Sequence, residues 1–110
     1  MAYNINMEFI ETSVFTRQIT ELLDDSEYEQ LQNVLVINPK AGSVISQTGG
    51  IRKIRYNIKG HGKRGGIRVI YYYVSDDQVF YMLLAYPKNK KDDLTIQEKK
   101  ALKAYIERCL

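Results

Sequence analysis

Acidic residues are missing from a long stretch of this chain. Between positions 30 and 75 there is no Asp or Glu, although the same stretch holds eight Lys or Arg residues. Cysteine occurs once, as Cys109, which excludes an internal disulfide. Histidine also occurs once, as His61, and one His with one Cys is too few for an ordinary zinc site. No apolar run approaches the roughly 20 residues that a membrane-spanning helix needs, so no transmembrane segment is expected. The opening residues, MAYNINMEFIETS, carry no basic stretch, no long apolar segment and no small-residue cleavage site, which makes the cytoplasm the expected location. The 110 residues, 45% hydrophobic and 26% charged, suffice for one core and are too few to divide comfortably into two.

What is present is unevenly placed. Residues 1–29 contain seven acids against one base, Arg17, whereas the bases of the acid-free stretch are Lys40, Arg52, Lys53, Arg55, Lys59, Lys63, Arg64 and Arg68. A net charge of +3 is modest, but its concentration in one region is what a face made for a polyanion requires.

Periodicity supplies the scaffold. Tyr3, Ile5, Met7 and Phe9 alternate with polar residues, as in a half-buried strand. From Ser13 the spacing becomes helical, with Phe15, Ile19, Leu22 and Leu23 on one face, and it closes at Asp24-Asp25. Ser26 and Glu29 form a capping-box signature for a second helix carrying Leu31, Val34 and Leu35, which Asn38-Pro39 ends. Strands are expected over residues 51–58, 67–74 and 79–86. Thr95 and Glu98 repeat the capping box before a last helix with Ile96, Leu102, Tyr105 and Ile106 on one side. The expected order is β-α-α-β-β-β-α: an α+β fold with a mainly antiparallel sheet of about four strands and helices over one sheet face.

Strand alternation sends Lys53, Arg55, Asn57 and Lys59 to one face and Ile54, Tyr56 and Ile58 to the other. In the following strand Arg68 is the one charge, sharing a face with Ile70 and Tyr72. Like charges facing each other across a sheet are destabilising unless an anion lies among them, and phosphate is the simplest such anion. The connecting segment KGHGKRGG adds Lys63 and Arg64 among glycines that let a backbone approach closely, but it lacks the spacing and following helix of a nucleotide P-loop. It reads as a contact to a nucleic-acid backbone. Tyr71, Tyr72 and Tyr73 are ordinary strand formers that could also stack on bases. His61, in a glycine-rich loop, is either a solvated residue or a proton-transfer group.

Three segments, NPKAGSVISQTGGIRKIR, GKRGGIRVIYYY and YMLLAYPKNKKDDLT, resemble in order and spacing the HigB-like branch of the RelE/ParE toxin superfamily. The resemblance runs from about Asn38 to the last helix, and the preceding β-α-α order is compatible with it. It implies one RelE-like domain over residues 1–110, acting as the toxin of a bacterial type II toxin–antitoxin system. Such a toxin enters the ribosomal A site and cuts mRNA there without a metal or other cofactor. The implied partners are mRNA, the ribosome with its RNA, and a cognate antitoxin protein through which operator DNA is reached; no membrane is involved.

Carried over by motif, the catalytic residues implied are Lys53, Arg55 and Arg68, with Lys88 or Lys90 as the cation at the end of the last strand; Arg64, in the GKRGG segment of this branch, is counted with them and Lys88 is the first choice of the pair. On the charge of the hairpin and the end of the last strand, Lys59, Lys63, Arg52, Tyr86, Lys90 and His61 are the expected RNA contacts. Where the RelE pattern has an Arg after the last strand this chain reads KNKK, and where it has a Tyr beyond that this chain has about Thr95, leaving Tyr86 as a substitute. Two other readings of the basic hairpin remain: a ParE-like inhibitor of DNA gyrase, and an RNA-binding module without catalysis.

Overall fold

The computed structural model describes residues 7–57, 66–91 and 93–110. Its elements are β1 (Glu8–Glu11), α1 (Ser13–Leu22), α2 (Asp25–Ile37), β2 (Ser43–Val44), β3 (Arg52–Asn57), β4 (Gly66–Val74), β5 (Val79–Pro87) and α3 (Ile96–Cys109). Five strands form one sheet in the order β1-β5-β4-β3-β2. The three long strands β3, β4 and β5 pair antiparallel as a meander, as expected. The sheet exceeds the expected count by the two-residue β2 on the β3 edge, and β1 joins β5 in parallel. Of the expected first strand, Tyr3 and Ile5 lie outside the described residues.

The helices do not share one face. Phe15 and Ile19 of α1 and Leu31 and Leu35 of α2 pack with Ile67, Val69 and Tyr71 of β4 and with Phe80 and Met82 of β5. On the reverse face Ile106 of α3, with Leu102 and Tyr105, packs on Ile70, Tyr72, Leu83 and Tyr86. This corrects the expected single helical layer, and the cause is visible in β4: apart from Arg68, both of its alternating sets are largely apolar, so both must be covered. An irregularity between Ile70 and Tyr71 shifts the β4–β5 register, pairing Ile70 with Leu84 and Tyr71 with Met82. Leu83 is the extra residue of this bulge.

Side chains fix the helix ends. The Thr12 side chain caps α1 by accepting from the Phe15 amide, and its hydroxyl also donates to the Leu83 carbonyl at 2.9 Å, tying the helix start to the bulge. The Gln18 side chain accepts from the Ala85 amide at 2.9 Å. The second helix is capped by Asp24 with Glu27 as its reciprocal partner, not by the expected Ser26 and Glu29. A helix ending at Leu22 leaves only a two-residue link, and the earlier of two overlapping signatures is used. Thr95 and Glu98 cap α3 as expected.

A cationic candidate site on the α3 face

Pairing across the meander builds the site. Lys53 lies opposite Ile70, and Arg55 lies directly opposite Arg68, which in turn faces Tyr86 on β5. The two arginines are therefore cross-strand neighbours on the face that carries α3. Arg68 is only 7% exposed, a charged side chain sunk in the middle of the sheet. An open cleft of about 550 Å³ is lined by Ala41, Ser43, Lys53, Ile54, Arg55 and Arg68. A second one of about 300 Å³ adjoins it through the shared Ser43 and Lys53, and continues past Ser46, Asp93, Leu94 and Lys99.

An anion does lie among these cations. The Asp93 carboxylate, on the connection between β5 and α3, has its Oδ1 2.9 Å from Lys53 Nζ and 3.6 Å from Arg68 Nη1. The hydrogen bond from Lys53 holds the Asp93 carboxyl below its ordinary range, with the charges of Lys53, Arg68 and Lys99 acting the same way. Asp93 and Lys99 were not anticipated, because nothing local to the KKDDL segment indicates which strand the carboxylate will meet. Among the described residues, no three His, Cys, Asp or Glu side chains gather as a metal site would require.

Tyr86 lies opposite Arg68 in the sheet, with its hydroxyl buried. Its phenol is pushed above its ordinary value by burial, while the Arg68 charge pulls the other way, so at neutral pH it remains a neutral hydroxyl. Lys91 sits over the ring, 5.8 Å from its centroid, and its ammonium is hydrogen-bonded to Glu98 at the start of α3.

The wall opposite α3 is held by other contacts. The Tyr71 hydroxyl accepts from the Gly42 amide at 2.9 Å and donates to the Pro39 carbonyl at 2.8 Å. Arg52 Nη1 donates to the carbonyls of Gly42 (2.6 Å) and Lys40 (3.3 Å). Gly42 must be glycine for space: a Cβ there would lie 2.8 Å from the Lys53 carbonyl oxygen.

The anticipated residues thus separate into groups. Lys53, Arg55, Arg68 and Tyr86 are brought together. Arg52, opposite Tyr71 in the pairing, lies on the other face and holds the segment before β2. Lys88 extends the β5 pairing, its amide donating to the Gly66 carbonyl at 3.0 Å, and Lys90 follows in the exposed turn. Lys59, His61, Lys63 and Arg64 lie outside the described residues.

Residues 36–110 match the family described as the RelE toxin of the RelE / RelB toxin-antitoxin system. This chain belongs to the RelE toxin family. A variant of E. coli RelE with two arginines replaced by alanine, in the free state, superposes with a TM-score of 0.52 at 16% identity, over 100% of both chains. The isolated E. coli RelE toxin superposes with a TM-score of 0.50 at 16% identity, over 94% of this chain and 99% of that one. At this identity the likeness is one of fold. The matched family segment contains every element of the cationic face, from β2 through α3.

Proposed function

We propose that this RelE-family toxin is a ribosome-dependent endoribonuclease that cuts mRNA in the A site and so stops translation. The observation that carries the reading is the carboxylate of Asp93 held between Lys53 and Arg68. These cations are arranged to grip a small oxyanion, and an RNA phosphodiester is one.

In the proposed reaction the 2′-hydroxyl gives its proton to water as its oxygen attacks the adjacent phosphorus; a new P–O bond closes a 2′,3′-cyclic phosphate, the bond to the 5′ oxygen breaks, and that oxygen takes a proton from water to leave as a hydroxyl. The charge that builds on the non-bridging oxygens is met by Arg68, Lys53 and Arg55, set in place before the substrate arrives. Arg68 matters most here, because a guanidinium mostly screened from water by the sheet interacts with developing charge more strongly than one in solvent. Tyr86 backs it with a neutral phenol whose hydroxyl is buried, shaping the surroundings of Arg68 without itself lining either cleft. Lys88 and Lys90, exposed at the end of β5, suit contacts to flanking phosphates. The ribosome's part is to present the message in line, the positional contribution that an open cleft on so small a protein does not supply alone.

The reading includes a single domain, a cytoplasmic site of action and a neutralising antitoxin protein through which operator DNA is reached. Its test is primer extension on a defined mRNA in a purified translation system, with and without ribosomes, comparing the wild type with Arg68→Ala. Cuts that require ribosomes and fall by about 10²–10³ in rate in the variant are expected, the usual loss when one charge-stabilising donor is removed. Cleavage at the wild-type rate by Arg68→Ala would move the chemistry elsewhere. No cuts under any condition would defeat the nuclease reading in favour of RNA binding alone or of DNA gyrase as target.

A further inference from the structure

We propose that Asp93 is an internal stand-in for the substrate phosphate, occupying the anion position of the free protein and leaving it when RNA binds. The proposal rests on the reading of the Lys53–Arg55–Arg68 cluster as the seat of the scissile phosphate.

Three observations support it. First, Asp93 Oδ1 alone is shared between Lys53 and Arg68, at 2.9 and 3.6 Å. One oxygen serving two cations is what a non-bridging phosphate oxygen would do there, and carboxylate and phosphodiester carry the same single charge. Second, the side chain keeps 70% of its exposure although it is ion-paired, so it can be exchanged without opening the core. An ion pair this exposed is a weak one. Third, Asp93 stands where the two clefts adjoin, lining the smaller beside Lys99. Its removal joins a phosphate seat at Arg55 and Arg68 to a second cation, Lys99, along one groove. A strand of RNA laid there would meet Lys99 with the phosphate next to the scissile one.

The arrangement has a physical purpose on both sides of the exchange. Without an anion, Arg55 opposite Arg68 with Lys53 alongside would repel one another. With Asp93 in place the cations stay ordered, and the substrate must displace it. Asp93 therefore lowers the affinity of the free protein for phosphates in general, and favours a substrate held by further contacts.

The test is binding of a short all-deoxy oligonucleotide, which has no 2′-hydroxyl and is not cut, measured by fluorescence anisotropy without ribosomes. Asp93→Asn is compared with wild type and with Asp77→Asn, which makes the same change in net charge at the exposed turn between β4 and β5. Asp93→Asn is expected to bind about threefold tighter than Asp77→Asn, an effect of the size exposed ion pairs carry. Asp93→Ala should behave likewise, separating loss of charge from new hydrogen bonds of the amide. In the same experiment, Lys99→Ala in the Asp93→Asn background should lose most of the gain.

Equal affinities of Asp93→Asn and Asp77→Asn would overturn the proposal. Weaker binding by Asp93→Asn would also overturn it, by making the carboxylate part of the ligand's own seat. Because neither cleavage nor the ribosome enters the measurement, the outcome is independent of whether the protein cuts mRNA.

Discussion

Replacing Tyr71 by Phe removes one oxygen atom and should loosen a wall of the cationic cleft. Tyr71 is fully buried, and its hydroxyl ties β4 to the connection before β2: it accepts from the Gly42 amide at 2.9 Å and donates to the Pro39 carbonyl at 2.8 Å. Each hydrogen bond contributes about 1 kcal/mol net, and an amide left in a buried place without its acceptor costs about 1–3 kcal/mol. Together the change should cost about 2–3 kcal/mol, since the ring and its packing are kept. Unfolding entropy of about 2.1 cal/mol/K per residue, taken over the 110 residues, converts this to a fall in Tm of about 9–13 °C. Thermal denaturation followed by circular dichroism measures it, and hydrogen exchange of the Gly42 amide locates it. That amide should exchange faster in the variant by more than the global loss of stability accounts for. A fall in Tm below about 2 °C, with Gly42 protection unchanged, would refute the argument that this hydroxyl fastens the wall to the sheet.

Gly42→Ala attacks the same wall by crowding. The added carbon would lie 2.8 Å from the Lys53 carbonyl oxygen and 3.0 Å from the Tyr71 ring, so a loss of about 1–3 kcal/mol is expected in urea denaturation, and a wild-type midpoint would contradict it. Alkali should act on the tyrosines. Burial holds the phenols of Tyr28, Tyr71 and Tyr86 above their ordinary 10.0. In the unfolded chain they ionise first, so the stability they contribute is complete below about pH 10 and is lost as the pH rises beyond it. Urea midpoints measured at about pH 8 and pH 11 should differ accordingly; equal midpoints would count against buried phenols as the cause.

Much of this architecture could be read from residue order because its signals are local. The alternation in residues 51–58 separates Lys53 and Arg55 from Ile54 and Tyr56, and the Thr95–Glu98 box starts the last helix where the structure starts it. The same alternation places Arg52 with Ile54, on the face away from Lys53, where its guanidinium meets the carbonyls of Gly42 and Lys40. The two overlapping capping signatures at Asp24 and Ser26 differ by two residues, and the choice depends on where α1 stops. β2 is too short to carry a period. The opposition of Arg55 and Arg68 depends on register across the glycine-rich connection, and Asp93 is 40 positions from Lys53. A contact of that kind leaves no mark on either neighbourhood in the sequence.

The parallel pairing of β1 with β5 has a consequence for synthesis. Thr12 caps its helix while donating to the carbonyl of Leu83, a residue 71 positions later. At about 5–20 residues per second, roughly 4–14 s pass between the making of the two. Through that interval α1 has neither the bulge carbonyl that anchors its start nor the Phe80 and Met82 side chains that cover its apolar face. The meander of β3, β4 and β5 needs only neighbouring hairpins, whereas the first strand must wait for the third of them before it has an edge to join. The fold is thus closed from its far end, and β1 and α1, made before the meander, are among the last elements to find their places.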